Sequence, residues 1–168
     1  MSAPRSLSYV LNRFVLRREY LTARADGLEF RVKTEDVVGR HLYKYGRHEP
    51  EMTAWLMQAV APQDGDLIID IGANIGIMTV HLARTCSQGR VHAIEPIPEN
   101  FYTLEQICQR FRLDNVSLHN FALGAEVGEL EMVMPKVQNV KMQGLSHAVH
   151  ESITEFNDGE RYTVPVHR

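Results

Sequence analysis

Leu67-Ile68-Ile69-Asp70-Ile71-Gly72-Ala73-Asn74-Ile75-Gly76 is the stretch from which the fold is read. Its first five residues form a short apolar run without alternation, the composition of a strand covered on both faces in a parallel sheet. The glycines then turn the chain directly into a helical segment with Ile77, Val80 and Ala83 apolar. Upstream, Pro62-Gln63-Asp64-Gly65-Asp66 is a turn cluster that opens the strand. Downstream, Arg90-Val91-His92-Ala93-Ile94-Glu95 is a second strand that Pro96 and Pro98 stop, and the helix after Pro98 places Phe101, Leu104, Cys108 and Phe111 on one face. Val116-Ser117-Leu118-His119 is a third strand. Strand and helix alternate as βαβαβ, which specifies an α/β, doubly wound sheet with right-handed crossovers.

Residues 1–60 read as an N-terminal cap of helix, hairpin and helices, and residues 61–168 as the main domain. Asp26-Gly27 between Tyr20–Ala23 and Leu28–Val32 is a hairpin signal, since a type I′ turn needs positive φ at both central residues. A helix is expected from Thr34 to Gly46, and another from Pro50 with Met52, Trp55, Leu56, Ala59 and Val60 as its buried face. Beyond Gly124, Leu130, Met132 and Met134 read as one half-buried strand and Tyr162, Val164 and Val166 as another, a candidate hairpin.

Composition narrows the class. The 168 residues are 44% hydrophobic and 23% charged, an ordinary globular balance that excludes disordered, collagenous and repeat proteins. With 18 Lys+Arg against 21 Asp+Glu the net charge is -3, so no whole-domain basic excess points to nucleic acid. Cys86 and Cys108 lie in no metal or disulfide spacing, which reads as a reducing, cytoplasmic compartment. No apolar run reaches the ~18–20 residues of a membrane span. Leu7, Val10, Leu11, Phe14 and Val15 nevertheless recur at helical spacing among arginines. Such a stripe suits an anionic membrane or a partner, but a terminal helix packed on its own domain is the expectation.

The turn after the first strand carries the chemistry. Gly72 and Gly76 stand as G-x-x-x-G, without the middle glycine that admits a pyrophosphate in the dinucleotide fingerprint G-x-G-x-x-G. Asp70 beside the turn repels phosphate and attracts a cation. Glu95 ends the next strand, 19 positions beyond Gly76, where an acid accepts hydrogen bonds from both ribose hydroxyls in doubly wound nucleotide folds. The pair suits a nucleoside with an attached ammonium group, a description that S-adenosylmethionine meets. His147 and His150 are one helical turn apart but have no third ligand at fixed spacing, so no metal is expected.

Asp70-Ile-Gly-Ala-Asn-Ile-Gly76, Ala93-Ile-Glu-Pro-Ile-Pro-Glu-Asn-Phe101 and Asn115-Val-Ser-Leu-His-Asn-Phe-Ala-Leu-Gly124 resemble the FkbM family of S-adenosylmethionine-dependent methyltransferases. The resemblance implies that Asp70, Gly72, Asn74 and Gly76 line the methionine and sugar side of the cofactor and that Glu95 holds the ribose. It implies weaker roles for Asn100 at the start of the next helix and for Asn120, where relatives often use Asp toward the adenine amino group. Glu49 resembles the family's Y-E-P-E segment with His48 in place of the aromatic residue, and would approach the methyl-donor end. The implied reaction is methylation of a hydroxyl on a small molecule or sugar, with the catalytic residue unassigned.

Family members continue beyond Tyr162–His167 into further core strands. The expected fold is therefore a partial Rossmann-like class I methyltransferase sheet, strands 3-2-1 plus the hairpin, with Leu67–Ile71 as an edge. A truncated or split enzyme, oligomeric or completed by a missing C-terminal half, follows as an expectation. A noncatalytic cofactor-binding or interaction remnant is the alternative, and an NAD(P)-dependent dehydrogenase a lesser one.

Overall fold

The computed structural model describes residues 5–25, 27–138, 140–153 and 155–168. In chain order the first half contains α1 (Arg5–Val10), continued by a wider π turn over Leu11–Val15, β1 (Tyr20–Ala25), β2 (Leu28–Lys33), α2 (Val37–Tyr45) and α3 (Pro50–Val60). There follow β3 (Leu67–Ile71), α4 (Ile77–Thr85), β4 (Arg90–Ile94), α5 (Pro98–Phe111) and β5 (Val116–His119). The chain ends with β6 (Ala122–Leu123), β7 (Gly128–Val137), β8 (Val140–Lys141), β9 (His147–Ala148) and β10 (Gly159–His167). Contacts divide it into one unit of Met1–Pro50, Val133–His147 and Glu151–Glu160, and a second of Glu51–Met132, Ala148–His150 and Arg161–Arg168. No helix among the described residues is long and apolar enough to cross a membrane.

In the first unit β1 and β2 pair antiparallel with Leu21 opposite Val32 and Ala23 opposite Phe30, so that alternate residues of both strands form one buried face. Gly27 takes φ +75°, as the hairpin turn requires, while Asp26 lies outside the described residues. Asp36, not Thr34, caps α2 by accepting from the Gly39 amide, and Gly46 at φ +68° ends it. The buried Lys141 ammonium is matched by Glu35 at 3.3 Å and Glu160 at 3.0 Å. The terminal stripe departs from expectation: Leu7, Val10, Leu11, Phe14 and Val15 are not packed on the domain. Tyr9 takes the inward position instead, its hydroxyl donating to the Thr34 carbonyl at 2.5 Å.

In the second unit β3, β4 and β5 form a parallel sheet in that order, with Ile68 opposite Val91 and Val91 opposite Val116. One face is covered. Ala93, Leu104, Cys108 and Ala73 form one buried cluster, and Leu82, Ala83 and Val91 form another with Met57, Ile68 and Met78 against it. The order places β3 at the edge, as expected, but its composition misleads about its faces: Leu67, Ile69 and Ile71 are 65%, 57% and 66% exposed. The apolar face expected of α3 is likewise open, with Met52, Trp55 and Val60 all exposed, because Met57 is the residue by which this helix joins the core. Farther along, β10 pairs parallel with β6 and neighbours β7, and Ala122, Val164 and Val166 pack with Leu130, Met132 and Tyr162.

Candidate functional site

The carboxyl ends of β3 and β4 and the loops after them converge on one polar cluster. Between β3 and α4 the chain reverses through three left-handed residues, Gly72 at φ +78°, Asn74 at +52° and Gly76 at +88°. Asparagine is among the side chains that tolerate this region, so the turn is encoded by its residue types. The two glycines serve different ends. A Cβ on Gly76 would stand 2.6 Å from Leu104 Cδ1, so its bareness lets α4 start close against α5, whereas a Cβ on Gly72 would meet no heavy atom within 4 Å.

Every amide of the turn is already committed. Gly72 and Ala73 both donate to the Ile94 carbonyl at 2.9 and 3.0 Å, and Gly76 donates to the Ala73 carbonyl at 2.8 Å. Asn74 donates its amide to Glu95 Oε2 at 2.8 Å, and Ile75 donates to Asn74 Oδ1 at 2.8 Å. A pyrophosphate is bound by free turn amides. Here they are spent within the chain, and the side chains around them are acidic or amide.

Glu95 is 4% exposed and is the hub. Besides Asn74, it accepts at Oε1 from the Ile97 amide at 2.9 Å and from Asn100 Nδ2 at 3.4 Å. Burial pushes its carboxyl up from the ordinary range, and these three donors oppose the shift. A carboxylate has about four acceptor positions, so roughly one remains for a ligand hydroxyl. Asn100 is 1% exposed, and its Oδ1 is buried without a hydrogen-bond partner. The alternative amide orientation would set that oxygen against Glu95 Oε1, so the orphan is an acceptor. Asn120 donates Nδ2 to the carbonyls of Glu95 and Pro96 at 2.8 and 3.1 Å, leaving Oδ1 as its acceptor.

Asp70 is half-buried, which raises its carboxyl pKa, against a hydrogen bond from Thr79 Oγ1 to Oδ2 at 2.6 Å. Thr79 is fully buried and was not read as a site residue from the sequence. Its signal is a hydroxyl one turn into the helix that follows an Asp-bearing strand. Asp70, Gly72, Asn74, Gly76, Glu95, Asn100 and Asn120 thus all belong to the second unit, whereas Glu49, exposed and at φ +44°, belongs to the first. Among the described residues no three His, Cys, Asp or Glu side chains gather as a metal site.

The Methyltransferase FkbM domain matches residues 70–168, more than half of the chain. "Methyltransferase 1" of Beauveria bassiana (strain ARSEF 2860) is 34% identical over 74 residues, 44% of this chain. The chain spans only 30% of the length of that curated relative. Among solved structures, methyltransferase FkbM from Methylobacillus flagellatus KT overlays with a TM-score of 0.37 at 24% identity, covering 40% of this chain and 20% of that one. Coclaurine N-methyltransferase bound to N-methylheliamine and SAH overlays with a TM-score of 0.41 at 25% identity, covering 47% and 22%. These overlays are partial, and the assignment rests on the domain match, which begins at Asp70 and takes in the whole polar cluster: the chain belongs to the FkbM methyltransferase family.

Proposed function

We propose that the polar cluster binds S-adenosylmethionine, and that the protein to which it belongs transfers the methyl group to a hydroxyl of a small molecule or sugar. The observation that carries this reading is the commitment of all five turn amides inside the chain, which leaves carboxylates and amide oxygens as the side-chain groups set around the turn. Such an acceptor-rich turn suits a ligand that brings hydroxyls, an amino group and positive charge rather than phosphates.

In this reading Glu95 holds the ribose with Asn100 steadying its carboxylate, Asp70 faces the cationic methionine end, and Asn120 Oδ1 accepts from the adenine amino group. The cofactor supplies a methyl group on a sulfonium leaving group. The chain's own part is to bind and orient: the left-handed turn keeps bulk away at Gly72, and Glu95 fixes the turn to the start of α5 through Asn74 and Ile97. Glu95→Gln keeps the side chain's size but sets an NH2 where one carboxylate oxygen accepts from Asn74 or Ile97, and calorimetric titration with S-adenosylhomocysteine is expected to show an affinity loss of at least about tenfold. Unchanged affinity in that variant would remove Glu95 from the ribose.

A further inference from the structure

We propose that the N-terminal helical segment, Arg5 through Arg18, is a docking surface for an anionic lipid membrane. The segment is fastened to its own unit by polar groups. Tyr9 is buried and donates to the Thr34 carbonyl, and Ser8 Oγ and the Tyr43 hydroxyl are 2.8 Å apart. A surface helix ordinarily turns its apolar stripe inward. This one is mounted the other way, with Leu7, Leu11, Phe14, Val15 and Leu16 between 48% and 66% exposed. Five large apolar side chains exposed along one short segment are disfavoured by water.

Charge identifies the occupant. From residue 5 through residue 19 the segment carries Arg5, Arg13, Arg17 and Arg18 against the single acid Glu19, in a chain whose net charge is -3. Arg17 and Arg18 are exposed just past the stripe, and the Arg13 guanidinium lies 5.4 Å from the Phe14 ring centroid. Apolar side chains entering the acyl boundary with arginines at headgroup level are the arrangement that binds an anionic leaflet. A second copy is a poor occupant, because a twofold pairing of this face would set Arg13, Arg17 and Arg18 against the same three arginines of the other copy.

The test is flotation of the full chain with phosphatidylcholine vesicles, with and without phosphatidylserine, a format in which aggregated protein sinks and is not counted. Flotation is expected only with phosphatidylserine, to weaken with added salt, and to fall at least about tenfold in both the Leu11→Glu/Phe14→Glu and the Arg17→Glu/Arg18→Glu variants. All four side chains are exposed, and unchanged thermal unfolding would show that the variants fold. As a second readout, Phe14→Trp in a Trp55→Phe background is expected to shift its emission to the blue on anionic vesicles. Failure to float, equal flotation with neutral vesicles, or charge-reversed protein that floats like wild type would overturn the proposal. So would self-association, or capture of an acidic protein, that depends on Leu11 and Phe14 in a chain that does not bind vesicles. The site after β3 plays no part in it, so S-adenosylhomocysteine affinity is expected to be the same in all these variants.

Discussion

β3 and β4 are both five-residue strands that deliver a carboxylate to the same cluster, yet their surroundings differ. β4 has a neighbour on each side, its Val91 and Ala93 are fully buried, and the Glu95 that follows it holds three donors. β3 has one neighbour, three exposed residues of five, and an Asp70 carboxylate that is half-buried with one hydrogen bond, from Thr79. The central strand makes its acid a structural clamp as well as a candidate ligand group. The edge strand leaves its acid the freer of the two to meet a cation, at some cost in desolvation.

The largest test of that contrast is Glu95→Ala. It strands the buried amide of Ile97, worth about 1–3 kcal/mol when left unsatisfied, and the half-buried amide of Asn74, worth less, so denaturant unfolding is expected to show a loss of about 2–5 kcal/mol. A loss below about 1 kcal/mol would mean that Glu95 is not a clamp. The turn between the strands provides a second test. Gly76→Ala combines a left-handed φ with a contact to Leu104, for an expected cost of about 2–4 kcal/mol, against about 1–2 kcal/mol for Gly72→Ala, which has the strain without the contact. Equal costs would show that close packing of α4 on α5 does not matter.

The smallest expected effect is at Asp70. Its raised pKa means that the folded chain binds a proton more readily than the unfolded one. The corresponding stability is fully present below the ordinary carboxylate range near pH 4 and is lost as pH rises through the folded value. Asp70→Asn keeps an acceptor for Thr79 and removes the charge, so the variant is expected to match or slightly exceed wild-type stability near pH 7 and to show a shallower decline above about pH 4. Glu95, also raised, keeps part of the slope in either protein. Thermal unfolding across that range checks this, and a variant less stable than wild type at neutral pH would contradict it.

What was legible in the sequence divides along similar lines. Asp70, the glycine turn and Glu95 could be read because the chemistry lies in consecutive residues at the ends of two strands. The commitment of the turn amides could not, since it depends on Ile94 and Glu95 reaching back across the β3–β4 ladder. Thr79 was missed because a first-turn threonine is common in helices. Helical periodicity grouped Leu104 with Cys108 on α5 and Leu7 with Leu11 and Phe14 at the N-terminus equally well, but one stripe is covered and the other is not. Spacing decides which side chains share a face, whereas burial depends on whether another element is present to cover it. The apolar run of β3 misled for the same reason.

The central claim, that the turn after β3 is built for a phosphate-free nucleoside held among carboxylates, is tested most directly by calorimetric titration of the wild-type chain with S-adenosylhomocysteine and with NAD under the same conditions. Saturable binding of S-adenosylhomocysteine, with NAD at least about tenfold weaker, is the expected result, because the turn amides have no donors left for a pyrophosphate. Binding of NAD as tight as or tighter than that of S-adenosylhomocysteine would contradict it.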